Sequence, residues 1–329
     1  MTPAIALFGD LVGHAQAQSL LLAALEQRRL APAYLFAGPH GVGRRLAALR
    51  FLEGVLAGPG GDPAVRRRLQ EGNHPDLLWV EPTYSDKGKL VPLSQAEAAG
   101  VSRRAAPQLR LEQIREVSRF LGRRPVEAPG CLVVLDGAEA MAEAAANALL
   151  KTLEEPGAGL LILIASAPDQ LLSTIRSRCQ LIPFGRLNAP QLVQVLQTHA
   201  PAVPAAIAGE TGVAHDDSPE LLQLAAGSPG ALLELRRQWH ALPPGLTERL
   251  LAVQGCRDPL QALELARELT EALEGEQQQW LLQWWQQAHW NLHHEPELLR
   301  RLERLRSHLQ AYVQPRLAWE VALLELAGC

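Results

Sequence analysis

The sequence predicts an α/β protein in which a parallel sheet is complete by residue 184 and only helices follow. Three observations carry this prediction. Short apolar runs alternate with helical patterns through the first half of the chain, as they do in a parallel sheet. A glycine-rich stretch separates the first apolar run from the next helix, which is the context of a phosphate-binding loop. After Phe184 no convincing strand pattern appears.

The first elements are predicted as a helix within 11–29, a buried strand over 33–38 and a helix over 44–58. Helical spacing places four apolar side chains of this last helix on one face: Leu46, Leu49, Leu52 and Val55.

The later elements follow the same alternation of apolar runs and helical patterns. Strands are predicted over 76–82, 131–137, 160–166 and 180–184, and helices over 110–122, 142–156 and 168–179. Residues 83–110 are of mixed polarity and predict a loop. Helices are predicted to resume at 188–200, with a flexible connection over 201–218, two helices over 218–240, a linker over 241–245 and helices to the end.

Composition narrows the class of protein. The 329 residues allow two or three domains, and a formal net charge of −4 excludes bulk attraction to nucleic acid or membrane. No signal peptide or membrane span is recognisable, so a cytoplasmic protein is expected. The cysteines lie too far apart in sequence for a zinc knuckle or a disulfide framework: Cys131, Cys179, Cys256 and Cys329.

The stretch "GPHGVGRR" resembles a phosphate-binding loop whose last two positions are changed. Gly38, Gly41 and Gly43 can form the cradle in which backbone N–H groups meet phosphate oxygens. Arg44 stands where the motif has lysine, and Arg45 stands where it has the hydroxyl that ligates Mg²⁺. Only three of the 31 basic residues are lysine, so Arg44 can reflect composition. An intact site, a site that holds nucleotide without turnover, and a purely structural turn remain open.

Longer motifs in the first 240 residues are similar to one family. "AEAAANALLKTLEEP" (142–156) and "LLILIASAPDQLLSTIRSRC" (160–179) resemble the clamp-loader branch of the AAA+ ATPases. "HPDLLWVEP", "LEQIREV" and "GSPGALL" are similar to it as well. The block from "NALLKTLEEP" to "SRC" is the most specific part, whereas the C-terminal helices match only in character.

The resemblance implies a RecA-like AAA+ module over 1–186, a helical lid over 187–240 and a helical collar for oligomerisation over 241–329. It implies as partners the tau or gamma ATPase subunits, the delta subunit, the sliding clamp and primer–template DNA. Many family members also bind zinc through four cysteines after the loop helix. Residues 58–73 contain no cysteine, so we expect no zinc there.

The family's ATPases end the third apolar strand with Asp-Glu, where the aspartate holds Mg²⁺ through water and the glutamate orients the attacking water. Here Asp136 is kept and Gly137 replaces the glutamate. A positioned base is worth roughly 10²–10⁴ in rate. Glu139 can substitute only if the backbone turns back. The alternative role of Asp136 is to cap a helix over 138–153.

A second functional residue is missing from the predicted lid. Gly230 stands where ATPase relatives place an arginine that senses the γ-phosphate. Degraded parts in three separate segments predict a chain that requires no cofactor and does not hydrolyse ATP. They also make ATP binding by this chain an unfavoured interpretation.

The motif "SRC", Ser177 to Cys179, is intact. The resemblance implies that Arg178 projects into a neighbour's ATP site as an arginine finger, an interaction worth roughly 10³–10⁵ in rate. The alternative is an arginine that pairs with a helix dipole, and Arg176 fits that alternative better.

The sequence therefore predicts a non-hydrolysing structural subunit of the DNA polymerase III clamp loader in DNA replication. It would belong to a DNA-directed DNA polymerase holoenzyme without ATPase or polymerase activity of its own. Two other interpretations remain: a tau/gamma-type subunit that hydrolyses ATP, and a nucleotide-binding regulatory module.

Overall fold

The chain divides into two compact units, residues 1–200 and 201–329, and each is described by itself. The structure is a computed structural model that describes residues 7–86, 88–101, 106–155, 157–199, 217–256, 258–311 and 313–328. Most of the connection predicted over 201–218 lies outside the described residues.

The first unit is built on a five-stranded parallel sheet with the strand order β2-β5-β6-β1-β7. The strands are β1 (Ala33–Ala37), β2 (Leu77–Val80), β3 (Thr83–Asp86), β4 (Lys89–Pro92), β5 (Leu132–Asp136), β6 (Leu160–Ala165) and β7 (Gln180–Pro183). All residues of β1 and β6 are buried, because helices cover both faces of a parallel sheet. The α/β prediction is confirmed, strand by strand.

The helices of this unit lie on the two faces of the sheet. They are α1 (Ala15–Glu26), α2 (Arg44–Ala57), α3 (Pro63–Gln70), α4 (Leu111–Leu121), α5 (Glu143–Glu154), α6 (Ser173–Arg176) and α7 (Ala189–His199). Leu35 and alternate strand residues pack with α4, α5 and α6. Tyr34, Phe36 and their neighbours pack with α1 and α2 on the other face.

The buried face of α2 differs from the predicted apolar stripe. Leu52 is fully buried, but the other three residues of that stripe are only half-buried. Arg50 and Glu53 are buried instead. Arg50 Nε donates to Asp10 at 3.0 Å, and Arg66 Nε donates to Glu53 at 2.8 Å. Buried charges are stable when they are paired in this way, so α2 buries paired charges beside its apolar residues Ala47, Ala48, Phe51 and Leu52.

The loop predicted over 83–110 is wrong in its first part. Strands β3 and β4 form an antiparallel hairpin there, with Thr83 opposite Pro92 and Asp86 opposite Lys89. Tyr84, Ala96 and Val101 bury one side of it in a small cluster of their own. Each strand has only four residues and carries polar side chains, so its alternation is too short to stand out in the sequence.

The second unit is helical throughout its described residues, as predicted. Its helices are α8 (Pro219–Ala225), α9 (Pro229–His240), α10 (Leu246–Ala252), α11 (Pro259–Ala272), α12 (Gly275–His293), α13 (Pro296–Gln310) and α14 (Pro315–Ala327). Trp285 and Trp319 stack in its core with ring centroids 6.2 Å apart, and the Trp319 indole donates to Gln278 at 3.0 Å.

The boundary between the units, at residue 200, falls inside the segment predicted as a lid over 187–240. The three-domain division therefore stays a prediction. Within the described parts of the chain, none of the helices combines the length and apolar character that a membrane crossing requires.

Candidate functional site

The glycine loop follows β1 and leads directly into α2, as the sequence predicts. Gly38 donates its N–H to Ala165 at 3.2 Å. A Cβ atom at Gly38 would lie 2.1 Å from the Phe184 carbonyl oxygen, so no larger residue fits without moving the backbone. Gly41 and Gly43 have positive φ angles of 75° and 103°, which glycine adopts without strain. The loop backbone is thus specified by its glycines.

Arg45 fills the end of this loop with an ion pair. Its Nε atom lies 2.9 Å from Asp136 Oδ2, and its Nη2 atom lies 4.0 Å from Glu81 Oε2. The guanidinium also stacks over Trp79, 5.2 Å from the ring centroid. The carboxylate that ATPase relatives use for a metal is therefore neutralised by a side chain of the same protein.

The alternative role of Asp136 as a helix cap is wrong. The turn Ala138–Ala140 is preceded by Gly137 and has no side-chain cap, and α5 begins at Glu143 with Ala142 before it. Burial raises the pKa of Asp136, and the guanidinium groups of Arg45 and Arg44 oppose that rise. Asp136 is thus a partly buried carboxylate that depends on two arginines.

Arg44 occupies the lysine position of the motif and is buried, with 6% of its surface exposed. Burial lowers its pKa, and Glu139 and Asp136 act in the opposite direction. Among the described residues, its Nε and Nη1 atoms have no hydrogen-bond partner. Arg44 therefore supplies a buried positive charge that nearby carboxylates balance only in part.

Glu139 is turned toward the sheet by the positive φ angle of 66° at Gly137. Its Oε1 atom accepts the Ser166 N–H at 3.0 Å, and the Ser166 hydroxyl donates to the same oxygen. The backbone does turn here, but the carboxylate is engaged at the end of β6. It therefore does not stand free as a replacement for the missing glutamate.

These contacts test whether Mg²⁺ and ATP fit the loop. A metal would need Asp136, which Arg45 holds, and a hydroxyl, which Arg45 has replaced. Two guanidiniums face three carboxylates, those of Glu81, Asp136 and Glu139. Because Arg45 engages Asp136 and no hydroxyl stands beside it, this set of side chains does not fit a metal-bound polyphosphate. Elsewhere in the described residues, no three His, Cys, Asp or Glu side chains come together as a metal site.

The SRC motif lies at the end of α6. The Ser177 hydroxyl and the Arg178 Nη1 group both donate to the Thr174 carbonyl, at 3.2 and 3.0 Å. Cys179 packs against the core on the far side, and burial raises the pKa of its thiol to about 12. Cys179 therefore stays protonated and serves packing, because a thiol must ionise to act as a nucleophile.

The two arginines of this segment have different partners. Arg178 is the one that donates to a helix carbonyl, and its Nη2 atom also pairs with Glu154 Oε1 at 3.0 Å. Arg176 instead pairs with Asp169 at 2.6 Å. Arg176 is the basic residue in the last turn of α6, so its interpretation as the dipole-pairing arginine stays a prediction.

The SRC motif and the glycine loop lie at opposite edges of the sheet. Gln180, directly after the motif, pairs with Tyr34 near the start of β1, whereas Gly38 follows the end of β1. Five strand residues separate the two edges, a distance of roughly 15 Å. Arg178 therefore cannot serve the glycine loop of its own chain.

Gly230 completes the predicted set, and Asp76 lies outside it. Gly230 lies in the first turn of α9, where the Ser228 hydroxyl caps the Ala231 N–H at 3.2 Å. Asp76, which sequence reasoning did not single out, accepts three backbone N–H groups, those of Val126, Glu127 and Ala128, at 2.7–2.8 Å.

Sequence reasoning also missed Trp79, Glu81 and Glu154 as partners of the arginines. Trp79 and Glu81 stand in the quoted motif "HPDLLWVEP", and Glu154 stands in "LEEP". Their position at the ends of a strand and a helix was the available signal.

The fold and the loop define a class: a parallel-sheet α/β module with an altered phosphate loop, joined to a helical unit. Two family models match the chain. One, described as "DNA polymerase III, delta subunit", covers residues 13–188, and one described as "Cyanobacterial DNA polymerase III delta prime, C-terminal domain" covers residues 191–326. The chain belongs to the DNA polymerase III delta-prime family.

Individual relatives agree with that assignment. DNA polymerase III subunit delta' of Bacillus subtilis is 34% identical over 175 residues, covering 51% of this chain and 46% of the relative. The Pseudomonas aeruginosa subunit delta' is 32% identical over 252 residues, covering 74% and 65%. The chain thus spans about half to two thirds of the length of these relatives. Subunit tau of Escherichia coli is 29% identical over 278 residues, covering 80% and 38%.

Proposed function

We propose that this chain is a non-hydrolysing structural subunit of the DNA polymerase III clamp loader. The observation that carries the proposal is the ion pair between Arg45 and Asp136 at 2.9 Å. A side-chain cation occupies the carboxylate that would hold a metal, and the glutamate that would orient water is replaced by Gly137. Without either group, a phosphate loop has no means of activating water.

The same proposal assigns a role in assembly. The α/β module over 1–186 and the lid over 187–240 would stand beside an ATPase subunit, and the collar over 241–329 would hold the ring together. The expected partners are the tau or gamma subunits and the delta subunit, with the sliding clamp and primer–template DNA reached through the assembly. Membership of the delta-prime family supports these partners.

Arg178 is proposed as the arginine finger for a neighbouring ATPase subunit. Its side chain is 37% exposed, which leaves it accessible to another protein. It lies at the edge of the sheet away from its own glycine loop. An arginine so placed meets a nucleotide only when another chain brings one, so any such action is in trans.

The competing interpretation is an ATP-hydrolysing subunit, since tau subunits are also similar to this chain. The two interpretations differ in what isolated protein does. We expect no ATPase activity above background from the pure chain. Turnover of about one per second or faster, abolished by Gly43→Asp, would overturn the non-hydrolysing role.

Assembly is tested by size-exclusion chromatography of this chain mixed with purified tau and delta. We expect the three to elute as one complex, at a smaller elution volume than any of them alone. If this chain elutes alone at every concentration tried, the clamp-loader role fails. The regulatory-module interpretation would then gain support if the chain binds nucleotide.

A further inference from the structure

The backbone on both sides of Arg178 is fixed to the core of the first unit. Ile175 is fully buried and Cys179 packs against the same group of apolar residues. The Arg178 N–H donates to the Ile175 carbonyl at 3.1 Å. The position of the Arg178 Cα atom is therefore set by packing, and only the direction of its long side chain remains to be determined.

Two contacts set that direction. Nη1 donates to the Thr174 carbonyl at 3.0 Å and Nη2 donates to Glu154 Oε1 at 3.0 Å. Thr174 belongs to α6, and Glu154 is the last residue of α5. Leu149 and Leu153 of α5 pack in the same core as Ile175 of α6, so the two acceptors stand on elements that are fixed relative to each other.

The guanidinium keeps donors for a further ligand. It carries five N–H groups, and the contacts with Thr174 and Glu154 use one each on Nη1 and Nη2. Three N–H groups remain, and a bidentate contact with a phosphate requires two. Arg178 can therefore donate to a phosphate while Glu154 still holds it.

The ion pair has little value for folding alone. Arg178 and Glu154 are 37% and 55% exposed, and pairs this exposed contribute little to stability because water screens them and both side chains lose freedom. The ion pair can still favour binding. Because Glu154 already restricts the rotamers of Arg178, less conformational entropy is lost when a partner binds.

We propose that Glu154 is a positioning residue for Arg178, holding its guanidinium ready for the terminal phosphate of a nucleoside triphosphate bound by a neighbouring chain. This inference rests on the proposed function. It assigns Glu154 a role that the adjacent Glu155 does not share. It predicts that loss of the Glu154 carboxylate lowers ATP turnover by the complex and leaves assembly unchanged.

The chain offers a matched control two residues away. Arg176, the last residue of α6, and Asp169, in the turn before that helix, form the same kind of exposed pair, at 2.6 Å. Asp169→Ala therefore removes an equivalent surface ion pair without touching Arg178. Glu154→Gln keeps an acceptor oxygen and removes the charge, which makes it the conservative variant.

The experiment measures DNA- and clamp-stimulated ATP hydrolysis and clamp loading by the complex reconstituted with each variant. We expect Glu154→Ala to lower the clamp-loading rate about 10-fold and to lower kcat with KM for ATP unchanged. A 1 Å misplacement of a reacting group can cost roughly 10²-fold, and only one of several sites in the ring is affected here. Glu154→Gln should recover most of the rate, and Asp169→Ala should match wild type.

Arg178→Ala separates failure of this inference from failure of the proposed function. If Arg178→Ala impairs loading while Glu154→Ala does not, or if Glu154→Ala raises turnover, Glu154 is no positioning residue. If neither variant has any effect, the finger itself is wrong and the inference falls with it. An altered elution volume of the Glu154→Ala complex would show an assembly defect and would also overturn the positioning role.

Discussion

Arg45 lies where the parallel strands end, here called the carboxyl edge of the sheet, and Arg178 lies where they begin, the amino edge. The two arginines differ in the carboxylates that they contact. At the carboxyl edge, Arg45 is bonded to Asp136 and stacked on Trp79, beside the glycine loop. At the amino edge, Arg178 is held by a main-chain carbonyl and an exposed glutamate at the surface. Arginine thus pairs with a largely buried carboxylate at the carboxyl edge and with an exposed carboxylate at the amino edge.

The difference arises from the acidic partner. Asp136 is only 17% exposed, and burial raises its pKa while the charges of Arg45 and Arg44 oppose that rise. Glu154 is 55% exposed and is solvated with or without Arg178. Arg45 therefore stays with its buried partner Asp136. Arg178 has an exposed partner and keeps N–H groups that can donate to a second ligand.

The largest effect should come from Gly38→Ala at the carboxyl edge. The new methyl group would lie 2.1 Å from the Phe184 carbonyl oxygen, so β1 and β7 must separate. Overpacking of this kind costs about 3 kcal/mol. Gly185→Ala is the matched control, since a Cβ there meets nothing within 4 Å. Equal free energies of unfolding for the two variants, in urea, would show that the loop is not tied to the sheet in this way.

At the amino edge, Asp76→Asn should destabilise by about 2 kcal/mol, because charged acceptors make the stronger hydrogen bonds. Burial would raise the pKa of Asp76, but its three backbone hydrogen bonds and His74 hold that pKa below its ordinary value. A lowered folded-state pKa gives stability that is present above the ordinary value of 3.8 and is lost as pH falls through the folded value. Wild type should therefore lose its advantage over Asp76→Asn in acid, measured by urea unfolding from pH 7 down to pH 3.

Asp136 should titrate in the opposite sense. Its raised pKa means that the folded state binds the proton more tightly than the unfolded state. Its contribution to stability therefore falls as pH rises from 3.8 through the folded value. Identical carboxyl titration midpoints for Asp76 and Asp136, measured by NMR, would remove the contrast between the two edges.

A smaller effect is expected from Arg45→Ala. Loss of the guanidinium should raise the pKa of Asp136 further and destabilise by about 1 kcal/mol or less, since Arg45 is 58% exposed and solvent screens the pair. The loss should be present at neutral pH and should vanish once Asp136 is protonated in both proteins. A pKa of Asp136 that does not move in the NMR titration would contradict the described pairing.

The sheet could be predicted from the sequence because its three central strands, β1, β5 and β6, are buried almost throughout. The run 131–137 and the run 160–166 are continuously apolar, and the structure places β5 and β6 there. The hairpin of β3 and β4 could not, since its short polar strands lack that signal. The glycine loop and the exposed Arg178 were predictable from motif and position.

The ion pairs were not predictable in the same way. Arg45 and Asp136 are distant in sequence and meet because the loop after β1 and the end of β5 both lie at the carboxyl edge of the same parallel sheet. Glu154 meets Arg178 because α5 returns to the amino edge. These contacts depend on the order of the strands, which local spacing does not contain, so the cap proposed for Asp136 was wrong.

We propose that Arg45, bonded to Asp136, prevents ATP hydrolysis by this chain, whereas Arg178 serves a neighbouring chain. The most direct test compares clamp loading by complexes that carry Arg178→Ala or its neighbour Arg176→Ala. Arg178→Ala should assemble normally, lower stimulated ATP hydrolysis in part and lower loading more, since one finger is worth roughly 10³–10⁵ at its own site. Arg176→Ala should load clamps at the wild-type rate. Wild-type loading by Arg178→Ala, or a loss confined to Arg176→Ala, would contradict the claim.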